Sequence, residues 1–256
     1  MSDNIHEALE DWEFEPGAIT VRKIIGEDGQ PKVQMRLELG LIQMEMQGRP
    51  DGLRPHDRES YLHFHQEKLE EYIKRNGSQD GFMLTALECS ELRSESLHYY
   101  YRYLSLFHLD EFKQVTADTA RNLEVAELLK RFAESDEDKY SIEQYRAYII
   151  MMNTQAQARQ SRADGNLYEA LEAIRSGIKK IAQFLEETPF DLEDAEDSHE
   201  IRLLEELEQE ILAELPTDSP ERLREELDQA IENEDFEKAA SLRDRIRAIE
   251  EGDEDE

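Results

Sequence analysis

The residues of this chain whose types could do chemistry are few and scattered. They are "HFH" at His63–His65 with His56 upstream, one cysteine (Cys89), the "GEDGQPK" run at Gly26–Lys32, a cluster of Tyr99, Tyr100, Tyr101 and Tyr103, and many carboxylates. Histidine and thiolate are zinc donors, but residues two apart on a helix do not face one another. The spacing matches no zinc signature, so exposed or capping histidines are the expectation. The glycine–lysine run lacks the Gly-x4-Gly-Lys-Ser/Thr frame that wraps phosphates and reads instead as a hairpin turn. Cys89 shares an apolar helical side with Leu92, Tyr99, Tyr103 and Phe107, as a buried structural thiol does. The tyrosines could form a peptide-binding or stacking surface; their helical spacing favours core, with hydroxyls reaching the rim. Nothing places two carboxylates in a shared apolar pocket, so they read as solvated faces and not as a glycosidase pair or metal site. No catalytic residue, cofactor site or metal site is assigned.

Composition narrows the class further. The 256 residues include 62 acids against 30 bases, a net charge of −32, and 36% of the chain is charged against about 25% in an average protein. Such a field repels phosphate backbones, because nucleic-acid affinity comes largely from Lys and Arg displacing counterions, and it favours basic protein partners. Direct nucleic-acid binding is not expected. One cysteine excludes an internal disulfide. "MSDNIHEALE" has no basic-then-apolar leader, and the longest apolar run, "AYIIMM" at Ala147–Met152, is far short of the roughly 20 residues a bilayer needs. A cytoplasmic protein without membrane contact is the expectation.

The elements that would position any site follow from periodicity. "AITVRKII" and "KVQMRLEL" alternate apolar and polar residues, with Val33, Met35, Leu37 and Leu39 on one face, joined by the "GEDGQP" turn. The phase slips at Gly40, consistent with a bulge or break, and "GRPDG" closes the segment. A two-stranded ribbon is marginal alone, so its face must lie on helices or another chain. From Ser60 helical spacing dominates. Thr85 and Glu88 form a capping box for a helix to His108, Asp110 can cap a second helix, and Ser141 with Gln144 suggests another box flanked by Tyr140 and Tyr145. That third helix should end at Gly165. Asn166 starts a fourth, with a seam of Leu171, Ile174, Ile178, Ile181 and Leu185. After an acidic linker at 187–199, Ser198 caps a helix bearing Ile201, Leu204, Leu207, Ile211 and Leu215. "PTDSP" then stops it, with Ser219 as N-cap and Pro220 in the first helical position of the next element.

Three places, "FHLDEFKQV", "RADGNLYEAL" and "IENEDFEKAA", join two helices through a short polar turn followed by Phe or Tyr, which can fold back between the helices. The first two resemble tetratricopeptide-like hairpins, although Phe112 and Tyr168 stand 56 residues apart where that repeat has 34. The third, within "LREELDQAIENEDFEKAASLRDRIRAI", resembles without a gap the UVR motif of UvrB and UvrC, a helical hairpin also found in Clp-type chaperones and activators of protein-arginine kinases. The likeness rests on Leu223, Leu227, Ala230, Phe236, Glu237, Ala239, Ala240, Leu242, Arg243, Asp244 and Ile246; it departs at Ile231, where a second alanine is usual, and at Glu234, where the turn often carries an apolar residue. The resemblance implies a protein–protein contact, often by pairing two hairpins into a four-helix bundle. The kinase-activator type needs cysteine pairs, which one cysteine cannot supply. The wider chain is similar to bacterial proteins that combine a segment like "QMRLELGLIQMEMQGRPDG" with helical hairpins and a terminal UVR motif.

The fold class expected is mainly α (α+β): an N-terminal β-ribbon segment at 1–59 packed on antiparallel helical hairpins at 60–186, the linker, a helix plus UVR-like hairpin at 200–251, and a disordered acidic tail at 252–256. Short amphipathic helices are marginal alone, and the paired alanines leave a shallow groove. The partner-binding candidates are therefore Leu223, Leu227, Ala230, Phe236, Ala239, Ala240, Leu242, Arg243, Asp244 and Ile246, facing a protein partner or a second copy. The function read from this is a non-enzymatic adaptor. The alternatives are an accessory factor of nucleotide excision repair bound to a UvrB- or UvrC-like partner, and a cryptic enzyme in 60–186.

Overall fold

The computed structural model describes residues 5–188 and 198–253. One helical turn, α1 (His6–Leu9), precedes an antiparallel meander of β1 (Val21–Ile25), β2 (Pro31–Leu37) and β3 (Gly40–Glu45) in that spatial order. The sequence suggested two strands. The phase slip at Gly40 is instead a two-residue turn, with Leu37 paired to Gly40 and Val33 facing Met44 across a third strand. Val33, Met35 and Met44 bury against α3 (Ala86–Phe107) through Tyr101 and Leu104, whereas Leu37 and Leu39 leave the expected core face for solvent.

Local signals set most helix ends. Ser60 caps α2 (Tyr61–Asn76), its Oγ accepting from the His63 amide at 3.1 Å. In the capping box of α3 the Thr85 amide donates to Glu88 at 2.8 Å, and the Glu88 amide donates back to Thr85 Oγ1 at 3.4 Å. Asp110 does not cap α4 (Phe112–Phe132). It adopts φ 58° in the turn, and the N-cap position falls to Glu111. The expected box at Ser141 and Gln144 is also displaced. Ser135 caps a short α5 (Asp136–Tyr140) whose first turn holds three acids, the sign that a helix N-terminus favours. Ser141 Oγ then donates to the Asp138 carbonyl, and Gln144 to that of Ser141. A 3-10 turn at Glu143–Tyr145 leads into α6 (Arg146–Ala163), followed by α7 (Leu167–Glu187) and α8 (His199–Glu214), the last capped by Ser198. Then come α9 (Pro220–Glu232), with Pro220 at its start as expected, and α10 (Phe236–Asp253), which continues into the stretch read as a disordered tail. Most of the expected acidic linker (189–197) and the last residues (254–256) lie outside the described residues.

The helices pack as antiparallel neighbours around two adjoining cores. One joins α2, α4 and the first half of α3, with Leu84, Cys89, Leu92, Val125 and Leu129 at its centre. The other joins the second half of α3 to α4, α6, α7 and α8. Ile201, Leu204, Leu207 and Ile211 place α8 in this larger core, although the sequence grouped it with the terminal hairpin. At the closest approach of α6 and α7, a Cβ at Gly177 would overlap the Thr154 side chain. Tyr99 and Tyr103 are core, as their spacing indicated, while Tyr100 and Tyr101 are half-buried.

Charged groups do not all sit on solvated faces. Glu95, Arg102, Asp118 and Glu143 are each at most 2% exposed. Arg102 grips Asp118 with two hydrogen bonds of 2.8 and 2.7 Å and donates to the carbonyls of Glu45 and Gly48. Glu95 accepts from the amides of Tyr61 and Leu62 and pairs with Arg49 and Arg121. The "GRPDG" loop and the start of α2 are thereby fastened to α3 and α4.

His65 is a second correction, since it is fully buried where an exposed or capping histidine was expected, while His63 stays exposed. Neither ring nitrogen has a hydrogen-bond partner, and burial pulls its pKa down to about 4, with Glu88 opposing. The unfolded chain takes up this proton at the ordinary 6.5, so the stability due to the neutral ring is complete above that pH and drains away as pH falls toward 4. Wild type should lose about 2 kcal/mol between pH 7 and 5 relative to His65→Leu, read from urea midpoints of the two proteins. Parallel pH profiles would refute this.

Candidate functional site

The three helix–helix corners marked by the sequence share one backbone turn. In each, a left-handed residue follows the first helix: Asp110 (φ 58°), Gly165 (φ 83°) and Glu234 (φ 57°). The next amide then reaches back to a carbonyl five residues earlier, Glu111 to Leu106 at 3.0 Å, Asn166 to Ser161 at 2.8 Å and Asp235 to Ala230 at 2.8 Å. This is the Schellman arrangement, which satisfies the last helical carbonyls. The aromatic that follows behaves differently each time. Phe112 is buried between helices, but Tyr168 is 53% and Phe236 69% exposed, so the expected fold-back lock operates only at the first corner.

In the terminal hairpin the candidate residues divide between two sides. Leu223, Ala230, Ala239, Leu242 and Ile246 close on one another between α9 and α10, with Leu227 and Ile249 flanking. Phe236, Ala240, Arg243 and Asp244 face outward, joined by Ile231 at 50% exposure. Ile231 and Phe236 flank the turn, so the tip of the hairpin carries two exposed apolar side chains on either side of the acidic sequence Glu232-Asn233-Glu234-Asp235. This tip was not separated from the inner seam by the sequence; the departure at Ile231 was the available signal. The hairpin meets its own globule at its base, where Arg222 donates to the Leu215 carbonyl at 3.1 Å and Gln209 to Glu225 at 3.0 Å. Through Arg247, α10 carries Lys238, Arg243, Arg245 and Arg247 against Glu237 and Asp244, while α9 is mainly acidic. Over its full length α10 has four bases against five acids and α9 two against five, so both helices are acidic overall and the bases of α10 gather between Lys238 and Arg247.

The 60–186 region holds a concave feature, a cleft of about 560 Å³ walled by tyrosines of α3 and α6. Its polar lining is Arg93, Ser96, Asn122 and Ser141 with the tyrosine hydroxyls. Among the described residues no carboxylate or imidazole lines it, and its polar groups are those of a binding surface. Among the described residues no cluster of three or more His, Cys, Asp or Glu is placed to hold a metal ion, and no helix is long and apolar enough to cross a membrane.

A family model described as the UvrB/uvrC motif (UVR) matches residues 221–252, which contain nearly all of α9 and α10. No curated protein and no solved structure matches the chain.

The turn itself is testable. A non-glycine residue held in the left-handed region costs about 1–2 kcal/mol, and glycine is favoured at this helix position. Glu234→Gly should raise the protection of α9 and α10 amides in native-state hydrogen exchange by about 1 kcal/mol and leave α3–α7 amides unchanged. Equal or lower hairpin protection would contradict the assignment.

Proposed function

We propose that this chain is a non-enzymatic adaptor that recruits a protein partner through the outward face of its α9–α10 hairpin. The observation that carries the reading is the pair of exposed apolar side chains Ile231 and Phe236, half to two-thirds exposed beside the turn, on a hairpin whose inner seam is otherwise closed. The match to the UvrB/uvrC motif over this hairpin supports a protein contact in particular. In this reading the seam residues Leu223, Leu227, Ala230, Ala239, Leu242 and Ile246 hold the two helices together, and the contact falls to Ile231, Phe236, Ala240, Arg243 and Asp244. Aromatic anchors in such positions carry a large share of interface energy. The charges of the two helices set orientation more than strength.

The partner best suited to this surface is another helical hairpin of the same kind, which presents a matching exposed apolar pair beside its turn and both basic and acidic residues on its helices. A UvrB- or UvrC-like protein would supply one, making this chain an accessory of excision repair; a second copy would supply one too. The net charge of −32 disfavours direct contact with nucleic acid.

Titration of the full-length chain with purified UvrB or UvrC, together with sedimentation of the chain alone, separates these partners. Phe236→Asp should weaken whichever association is found by at least about tenfold. The substituted residue is exposed, so the melting temperature should move by less than about 2 °C. A chain that stays monomeric and ignores both proteins, or an association indifferent to Phe236→Asp, would defeat the proposal.

A further inference from the structure

The tyrosine-walled cleft has a construction that the hairpin does not explain. One wall is the face of α3 carrying Arg93, Ser96, Leu97, Tyr100 and Tyr103; Ile142 and Tyr145, with Tyr148 and Ile149 of α6, stand opposite. Its size, about 560 Å³, falls within the range of about 300–1,000 Å³ typical of small-molecule sites. The rings are braced against each other, Tyr100 standing edge-on to Tyr103 at 5.4 Å and tilted to Tyr148 at 6.4 Å between centroids. The ion pair of Arg93 with Asp138 ties α3 to α5 at the edge of the cleft. Apolar surface remains uncovered at the mouth, where Leu97 is 48% and Tyr145 57% exposed.

Two further features specify what would fit. Ser96 is 95% buried, yet its hydroxyl has no hydrogen-bond partner. Asn122 beside it is already committed, donating to the Ser96 carbonyl at 3.0 Å and accepting from Arg121 at 3.1 Å. The Ser96 hydroxyl is thus an unpaired polar group in a mostly apolar lining, and a buried hydroxyl left unpaired costs about 1–3 kcal/mol that a ligand would recover. The lining is also electrically neutral. Arg93 is paired, and burial pushes the Tyr148 phenol up to about 12 and raises that of Tyr103 as well. The net charge of −32 opposes the approach of an anion.

We infer that the cleft between α3, the 141–145 segment and α6 is a binding site for an uncharged aromatic small molecule, whose rings lie among the tyrosines and whose single polar group meets Ser96. The inference stands apart from the role proposed for the hairpin.

N-Phenyl-1-naphthylamine, a neutral aromatic amine that fluoresces in apolar surroundings, is a suitable probe for the full-length chain. It should bind saturably at one site per chain. Leu97→Glu and Tyr145→Asp, both at exposed rim positions, should each weaken binding by about tenfold or more, and Ser96→Ala by about threefold to tenfold. Circular dichroism should be unchanged in all three, and Phe236→Asp should bind as wild type. 2-Naphthol should displace the probe at least about tenfold better than 2-naphthoate, which has the same rings with a negative charge. Absence of saturable binding, rim variants that bind normally, loss with Phe236→Asp, or equal competition by the carboxylate would each overturn the assignment. If Leu97→Glu or Tyr145→Asp misfolds, the Ser96→Ala variant and the naphthol–naphthoate pair decide it.

Discussion

Burial of charge on the polar face of α3 is the constraint on which this fold turns. Glu95, Tyr99 and Arg102 lie one helical turn apart, and each is at most 5% exposed. Taking a carboxylate or guanidinium from water costs several kcal/mol even after relaxation, so the arrangement is stable only when every charge is met. Arg102 is met by Asp118 and two carbonyls of the β3–loop segment; Glu95 is met by two amides at the start of α2 and by Arg49 and Arg121. The guanidinium groups of Arg102 and Arg121 both approach the Tyr99 ring, at 4.8 and 3.7 Å from its centroid. One network therefore sets the positions of the sheet, the "GRPDG" loop, α2 and α4 relative to α3. The opposite edge of α3, bearing Leu97 and Tyr100, is held at a defined distance from α6, and the cleft is a consequence of that spacing.

The terminal hairpin shows the same division between what is closed and what is left open. Its seam is sealed by leucine, isoleucine and two alanines, so the globule is not needed to cover it. Among the described residues, polar bonds at the base join the hairpin to the globule. Ile231 and Phe236 stay exposed beside the turn among the described residues, and exposed apolar groups held on a stable scaffold are what protein interfaces use.

Much of this was legible locally. Thr85 with Glu88, Ser198, Pro220 and Gly165 act where their chemistry requires, because caps and left-handed turns depend on a few neighbouring residues. The stripe on α8 and the buried thiol of Cys89 were likewise readable from period alone. Failures cluster where two local signals compete or where distant chain intervenes. Ser135 with its three acids outcompeted Ser141 for a helix start. Asp110 was drawn into the turn by the Schellman bonds rather than capping α4. His65 and Glu95 look like ordinary helical surface residues until the helices that cover them are in place.

By itself the sequence determined the long helices and their order, the strand-rich start and the terminal hairpin, since period, caps and turn residues act over a few positions. Only the tertiary structure decided that Gly40 opens a third strand, that α8 joins the main core, and that Phe236 points to solvent while Phe112 does not. It alone paired Arg102 with Asp118, sixteen residues apart, and with the carbonyl of Gly48, fifty-four residues earlier. The physical reason is that burial and charge compensation depend on which surfaces meet, a property of packed elements that no stretch of chain carries alone.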